Sequence, residues 1–386
     1  MTAPERTSGF GKLERPITHD KPNEIVLAFQ ANSVFDYSRT LREQWLDSLK
    51  LALNRGWNIS QYIEIGHRSE PTTTMVNNLL ELLAAPGPGV YTPRLALDAT
   101  VFTPGFIIVP GNGAMLLLNE TGTLFPDASF FYPPGPHLDV LISHYNLVRS
   151  GSRDLMTTFT SAPPTNLSFA FENELAVVEG LPGPRYVVWN GLPTTTVPSE
   201  VDEQRFEYIK AQGDMERTEQ ALKWLTMRGI RRDNFLDMLA NGHDFFEIYP
   251  QSAIDRLVSR GIFAEDDPFL QLGAQPLKKE QRIHYIDELL KLLNDPHYKI
   301  ALIGDRDMPT WLSRACFEVK DQRMVALQTL REQNGTLGIR NAAIWKPEMI
   351  AAFADYFRSE LWEKLPDMNK DPNYTRNFLE VAKRSI

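Results

Sequence analysis

Apolar residues recur at helical spacing through Trp45, Leu46, Leu49, Ala52 and Leu53, stop at Asn54-Arg55-Gly56, and give way to Trp57-Asn58-Ile59. This pattern predicts an amphipathic helix closed by a breaker and followed directly by a strand. The same pattern returns at Tyr285, Ile286, Leu289, Leu290 and Leu293. It stops at Asn294-Asp295-Pro296 and passes, after His297, into Tyr298-Lys299-Ile300. Asp47 matches Asp287, Leu49 matches Leu289, Leu53 matches Leu293 and Asn54 matches Asn294. The chain therefore reads as an internal duplication.

Further elements recur in the same order. Phe106-Ile107-Ile108-Val109, a Gly-Asn-Gly turn and Ala114-Met115-Leu116-Leu117-Leu118 predict a hairpin. Its echo is Phe317-Glu318-Val319, a charged turn at Asp321, and Met324-Val325-Ala326-Leu327. Ala128 to Pro133 leads into a helix through His144-Tyr145, as Ala342 to Pro347 leads into one through Tyr356-Phe357. Upstream, Ile25-Val26-Leu27 pairs with Tyr186-Val187-Val188.

Domain limits follow from the repeat. Residues 1–23 form a polar, flexible leader without periodicity. The first unit spans 24–150, a Ser/Pro/Thr-rich linker 151–166, and the second unit 167–362, with a C-terminal helical tail at 363–386. An insertion at 192–279, mostly helical, interrupts the second unit after its first strand. Within it Ala253 to Arg260 closes on Gly261, a glycine helix stop followed by Ile262-Phe263.

Composition narrows the classes. With 42% hydrophobic and 23% charged residues the chain is an ordinary globular protein. It shows no membrane-length apolar run and no signal-peptide pattern. Its net charge of −9 disfavours direct nucleic-acid binding, since phosphate neutralisation needs a basic face. The densest basic spot, Arg228 with Arg231-Arg232, has acidic neighbours. The single cysteine, Cys316, reads as a small buried hydrophobe and fits a reducing, cytoplasmic setting.

Two repeats of this kind, each with a hydrophobic strand feeding a hairpin, then an aromatic strand and a helix, resemble the phospholipase D fold. The fold class expected is thus α/β, with two phospholipase D-like units related by a pseudo-two-fold axis and a helical insertion in the second. In that superfamily each half supplies a His-x-Lys-x4-Asp motif, one histidine acting as nucleophile on a phosphodiester and the other as leaving-group acid. Laid on this chain, the motif falls on Thr103, Gly105 and Pro110, and on Ser313, Ala315 and Lys320. None of the six can perform those roles. His297-Tyr298-Lys299 with Gly304-Asp305 nearly spells the motif, but Asp305 is one residue too far and His297 belongs to a helix–strand turn.

A second resemblance covers roughly 24–386. Glu43 to Ile59, Phe106 to Leu117 and Ala351 to Phe357 before Trp362 resemble the sensor region of bacterial helix-turn-helix transcriptional regulators. It implies a non-catalytic, cytoplasmic sensing or interaction module whose DNA reader is missing or belongs to a partner protein. The sequence expectation is accordingly no enzyme, no catalytic residues, no cofactor and no metal. There is no dinucleotide or Walker loop, and Gly111-Asn112-Gly113 is a hairpin turn. No His-Glu-x-x-His, cysteine pair or nucleophile elbow appears either. The alternative is a phosphodiesterase- or nuclease-like enzyme with an atypical site between the halves.

Strand ends nominate the ligand-binding candidates, because α/β folds bind ligands at carboxyl ends of strands. These are Gln30, Glu64, His67, Arg68, Asn190, Asp305 and Arg306. His67-Arg68 and Asp305-Arg306 would orient a small polar ligand or a peptide, with Trp57 and Trp189 in the core. No membrane partner is expected, and an oligomer is compatible with the pattern.

Overall fold

The structure is a computed structural model that describes residues 23–28, 39–65, 72–96, 105–118, 128–159, 168–264, 267–333 and 336–386. The expected leader before residue 23, and residues 160–166 of the expected linker, lie outside the described residues. The chain divides into two compact units. One runs to Thr157 and includes Arg331–Leu337; the other comprises Thr158–Leu330 and Gly338–Ile386.

The first unit begins with β1 (Glu24–Ala28), α1 (Arg39–Asn54), β2 (Asn58–Glu64), α2 (Thr73–Leu83) and β3 (Tyr91–Ala96), three parallel strands joined by helical crossovers. The Thr72 hydroxyl caps α2 by accepting a hydrogen bond from the Met75 amide at 3.2 Å. Then β4 (Gly105–Val109), β5 (Gly113–Leu118) and β6 (Ala128–Tyr132) add an antiparallel meander, followed by α3 (Pro136–Ser150) and β7 (Ser152–Asp154). The sheet order is β6-β5-β4-β1-β2-β3-β7. Val26, Ala28, Tyr62, Phe106 and Ile108 bury one face against Leu138, Tyr145 and Val148 of α3.

The second sheet takes β8 (Thr157–Phe159). After it come α4 (Phe169–Glu179), β9 (Arg185–Val188), α5 (Ser199–Lys210), α6 (Met215–Ala240) and β10 (Phe245–Pro250). Next come α7 (Gln251–Arg260), α8 (Pro268–Gln271), α9 (Lys279–Leu292), β11 (Tyr298–Ile303), β12 (Ala315–Lys320), β13 (Met324–Gln333) and β14 (Thr336–Ile344). The chain closes with α10 (Pro347–Asp355), a π-helical stretch (Tyr356–Trp362), α11 (Asp367–Lys370) and α12 (Pro372–Arg384). The order is β11-β10-β9-β12-β13-β14-β8.

The duplication is therefore real at the level of topology. Strands β6-β5-β4-β1-β2-β3 correspond in place to β14-β13-β12-β9-β10-β11. In both sheets the first strand pairs in parallel with the second and antiparallel with the first strand of the hairpin. This is an α/β chain of two units with equivalent sheets, as the sequence repeat predicts. The paired strands and hairpins of the sequence repeat occupy equivalent places.

The helix echo does not. The Trp45 helix (α1) joins the first and second strands, whereas the Tyr285 helix (α9) precedes the third. Its topological counterpart is α2, and that of α1 is α6, which ends at Asn241-Gly242 before the aromatic strand at Phe245. An amphipathic helix, a breaker and an aromatic strand start make up any helix-to-strand joint of a βαβ crossover. The pattern therefore marks a type of joint rather than a particular one.

The expected insertion at 192–279 also needs correction. It contains β10, which lies between β9 and β11 in the sheet. The surplus helices are split between two crossovers, α5 before β10 and α7 with α8 after it.

Gly261 stops α7 at φ +68°, and a Cβ there would lie 2.3 Å from the Leu277 carbonyl oxygen. Gly261→Ala meets both an unfavourable backbone and a clash. It should lower stability by about 1–3 kcal/mol, read as a fall in the urea midpoint.

Candidate functional site

Pairing register places an unusual set of side chains on one face of the second sheet. Arg185 pairs with Phe245 and Val187 with Glu247. Across the antiparallel boundary, Lys320 pairs with Arg185 and Glu318 with Val187. Because paired residues share a face and alternate residues return to it, Arg185, Glu247, Tyr249, Glu318 and Lys320 all project to the same side. The opposite face is apolar: Tyr186 meets Phe357 and Phe317 meets Phe353.

Two helices bring the charges that answer this face. Trp224, Arg228 and Arg231 fall on one side of α6 by helical spacing, and Glu172 and Glu179 come from α4. Glu179 accepts from Arg185 Nη1 at 2.7 Å and from Arg231 Nη2 at 3.1 Å. Glu318 is shared in the same way, 3.3 Å from Arg185 Nη2 and 3.4 Å from Arg231 Nη2. Arg185 Nε also approaches Glu318 at 3.0 Å, an ion-pair contact without hydrogen-bond alignment. Glu172 takes Arg231 Nη1 at 2.9 Å.

A second cluster adjoins the first. Arg228 donates to Asp202 at 2.9 and 3.1 Å and to Asp267 at 2.5 Å, and Arg205 also donates to Asp267. The Phe263 and Phe269 rings flank both guanidinium groups.

Burial and pairing compete at each group. Burial works against the charge of Arg185, Arg228 and Arg231, but their carboxylate partners outweigh it and raise all three above the ordinary value. Burial would raise Glu318, yet Arg185 and Arg231 hold it below the usual carboxylate range. Glu179 goes the other way, because burial there exceeds the pull of Arg185. Burial also raises Glu247, although Arg185 lies 3.9 Å away and the Tyr249 and Tyr298 hydroxyls each donate to it at 2.7 Å. Lys320, 2% exposed, has no hydrogen-bond partner for its ammonium, which lies 5.4 Å from the Phe245 ring centre. Burial pushes it down to about 8.

Where these charges end, the core leaves a cavity of about 50 Å³. Phe171, Trp189, Trp224 and Tyr249 supply its aromatic walls, and Arg185, Arg228, Arg231, Glu172 and Glu318 its charges. Trp224 is buried and its indole N–H has no hydrogen-bond partner; the same holds for Arg231 Nε. The cavity thus combines cationic groups with unused donors, the properties needed to hold an oxyanion. Among the described residues no group of histidine, cysteine, aspartate and glutamate is arranged to hold a metal ion.

The sequence candidates are placed differently. Gln30, His67 and Arg68 lie outside the described residues, and of Glu64 the structure describes only its place at the end of β2. Asn190 follows β9, and its carbonyl accepts a hydrogen bond from Arg256. Asp305 and Arg306 are exposed in a turn after β11, with β10 lying between that strand and β9. Trp57 is in the core as expected, whereas Trp189 lines the cavity. His297 sits in the turn before β11, 3.1 Å from Asp244. Of the motif positions, Thr103 is not described and Lys320 contributes to the buried charged face.

The buried charged face carried a signal in the sequence. Arg185, Glu247 and Glu318 interrupt strands that are otherwise apolar, and a charge in a fully buried strand demands a partner. The Trp224-Arg228-Arg231 spacing shows which helix face supplies it.

No family model matches the chain, and no curated protein matches it. Solved structures do. The polyphosphate kinase of Porphyromonas gingivalis is 11% identical with a TM-score of 0.25, covering 95% of this chain and 52% of the kinase. The chain therefore spans about half the length of that protein. The phosphatidylserine synthase of Haemophilus influenzae Rd KW20 is 12% identical with a TM-score of 0.30, covering 99% of this chain and 91% of the synthase. Likenesses of this size concern the fold and assign no reaction. Both proteins are enzymes by name. The expectation of a non-catalytic chain, drawn from the missing histidine motif, is therefore withdrawn, and no activity is carried over to this chain. Among the described residues no helix is long and apolar enough to cross a membrane.

Lys320 offers a test of the buried face. Below about pH 8 it is protonated both folded and unfolded, and the folded state bears the full burial penalty. Between about 8 and 10.5 the folded state releases a proton that the unfolded chain keeps, so this group's contribution to stability rises with pH. Lys320→Met should be more stable than the wild type at pH 7, and its advantage should shrink from pH 8 to 10. The difference between the two urea midpoints isolates this trend from the tyrosines, which titrate in both proteins.

Proposed function

We propose that the chain is an enzyme acting on a phosphate ester, with the ester's oxyanion held in the cavity of the second unit. The observation that carries this reading is the convergence of Arg185, Arg228 and Arg231 on one cavity together with the unpartnered Trp224 indole N–H. The phospholipase D-like fold makes phosphate esters the first substrate class to examine. Arginine forks suit phosphate oxygens geometrically and electrostatically.

The chemistry differs from the histidine route of the superfamily. Among the described residues no histidine or cysteine lines the cavity, so the proposed nucleophile is water or a substrate hydroxyl. Glu172 is the carboxylate placed to take its proton, being 15% exposed and paired only through one arm of Arg231. As the new P–O bond forms, the old one breaks and the leaving oxygen departs with a solvent proton. The guanidinium groups offset the charge that accumulates on the phosphoryl oxygens. Trp189 and Leu192, which follow the carboxyl end of β9, both line the cavity.

The test is turnover of a panel of phosphomonoesters and phosphodiesters by the full chain, compared with Arg231→Lys. Lysine retains the charge and loses the fork. Turnover should fall by about 10–100-fold in the variant, the scale of one charge-assisted pair. No turnover of any ester, or turnover indifferent to Arg231→Lys, defeats the proposal.

A further inference from the structure

Glu172 differs from its neighbours. Glu179 and Glu318 each join two arginines and are almost wholly enclosed, at 0% and 8% side-chain exposure. Glu172 meets Arg231 alone, is more open at 15%, and sits in the first turn of a helix begun by Ser168. It lines the same cavity as the unpartnered Trp224 indole.

Charge matching gives Glu172 its meaning. Arg185, Arg231 and Lys320 share their face with four carboxylates, Glu172, Glu179, Glu247 and Glu318, of which Glu172 is the most open. Arg231 keeps Glu179 and Glu318 whichever group lies on its third side. Charge this deeply buried is costly to unbalance, so a group that takes the place of Glu172 without disturbing the cluster matches its single negative charge.

We infer that the Glu172 carboxylate stands in for a ligand's oxyanion, and that the site takes a group bearing one negative charge by exchanging it for Glu172 on Arg231. The incoming oxygens accept from Arg231 Nη1 and from the Trp224 indole N–H. A cavity of about 50 Å³ holds the anionic head alone, and the remainder of the ligand stays outside. A phosphodiester and a carboxylate both meet the requirement. A phosphomonoester, doubly charged above neutral pH, brings one charge too many. This inference deepens the proposed function by naming the charge state of the substrate and rests on the same cavity.

Calorimetric titration of the full chain at pH 8 with dimethyl phosphate, acetate and methyl phosphate tests it. Replacing Glu172 by Gln removes the internal competitor, so Glu172→Gln should bind the monoanion at least about tenfold more tightly than wild type. The double variant Glu172→Gln, Trp224→Phe should lose most of that gain. Binding of dimethyl phosphate alone identifies a phosphodiester source, and of acetate alone a carboxylate source; either supports the exchange. Unchanged or weaker affinity in Glu172→Gln overturns it, as does a preference for methyl phosphate. So does an absence of binding by both proteins while circular dichroism shows them folded. If Glu172→Gln fails to fold, Glu172→Asp, which weakens the grip on Arg231, should still tighten binding, and no tightening overturns the inference. The readout is binding, so loss of turnover in the ester panel leaves this result standing and bears only on the proposed reaction.

Discussion

The second unit depends on matching buried charge across the space between a sheet and its covering helices. Moving a guanidinium or carboxylate out of water costs several kcal/mol, and attraction offsets that only when the partners arrive in close geometry. Arg185 and Glu318 are fixed by strand register, so the freedom to satisfy them belongs to the helices. α6 must lie where Arg231 reaches both Glu179 and Glu318, and α4 where Glu179 reaches both arginines. A slide of either helix by one turn would strand several charges at once. Apolar packing tolerates repacking, whereas this interface accepts one alignment. The same rigidity accounts for the cavity: forked, planar groups held at hydrogen-bond distance cannot close around one another as aliphatic side chains do.

The two units show what such an interface replaces. In the first, the face turned away from α3 carries Ile25, Leu27 and Ile107, all buried and all apolar. Its topological equivalent in the second carries Arg185, Val187 and Glu318. One architecture thus supports either an oily or an ionic layer between sheet and crossover helices. The described part of the first unit keeps polarity to local links on this sheet, such as Tyr91 donating to Gln61 at 2.7 Å.

Much of the fold was legible because it rests on short-range pattern. Strand pairs such as Ile25 to Leu27 with Tyr186 to Val188, and the hairpins around Asn112 and Asp321, were readable from alternation and turn chemistry. What failed was the helix correspondence, since Asn54-Arg55-Gly56 and Asn294-Asp295-Pro296 report how a helix ends and say nothing of which crossover it closes. β10 was hidden inside a supposed insertion because Phe245 to Pro250 is a short strand between longer helices, with Glu247 breaking its apolar run. The site was missed for a related reason. Candidates were sought among polar residues at strand ends, where exposed charge is ordinary. The informative charges were those inside apolar strands and on one face of α6, where only a partner could make them stable.

Splitting the surplus helices around β10 has a consequence for how the chain assembles. The crossover between the first two parallel strands spans 29–57 in the first unit and 189–244 in the second. Closing a connection of twice the length costs only about 0.6 kcal/mol more in loop entropy, so the native state bears little penalty for the added helices. The rate is another matter, because parallel strands separated by long segments must search longer before their pairing is rewarded. β10 is paired on both sides by strands reached through such segments. β10 is therefore a late-forming strand of the second sheet, and the first sheet, with its shorter connections, has the kinetic lead during synthesis from the N-terminus.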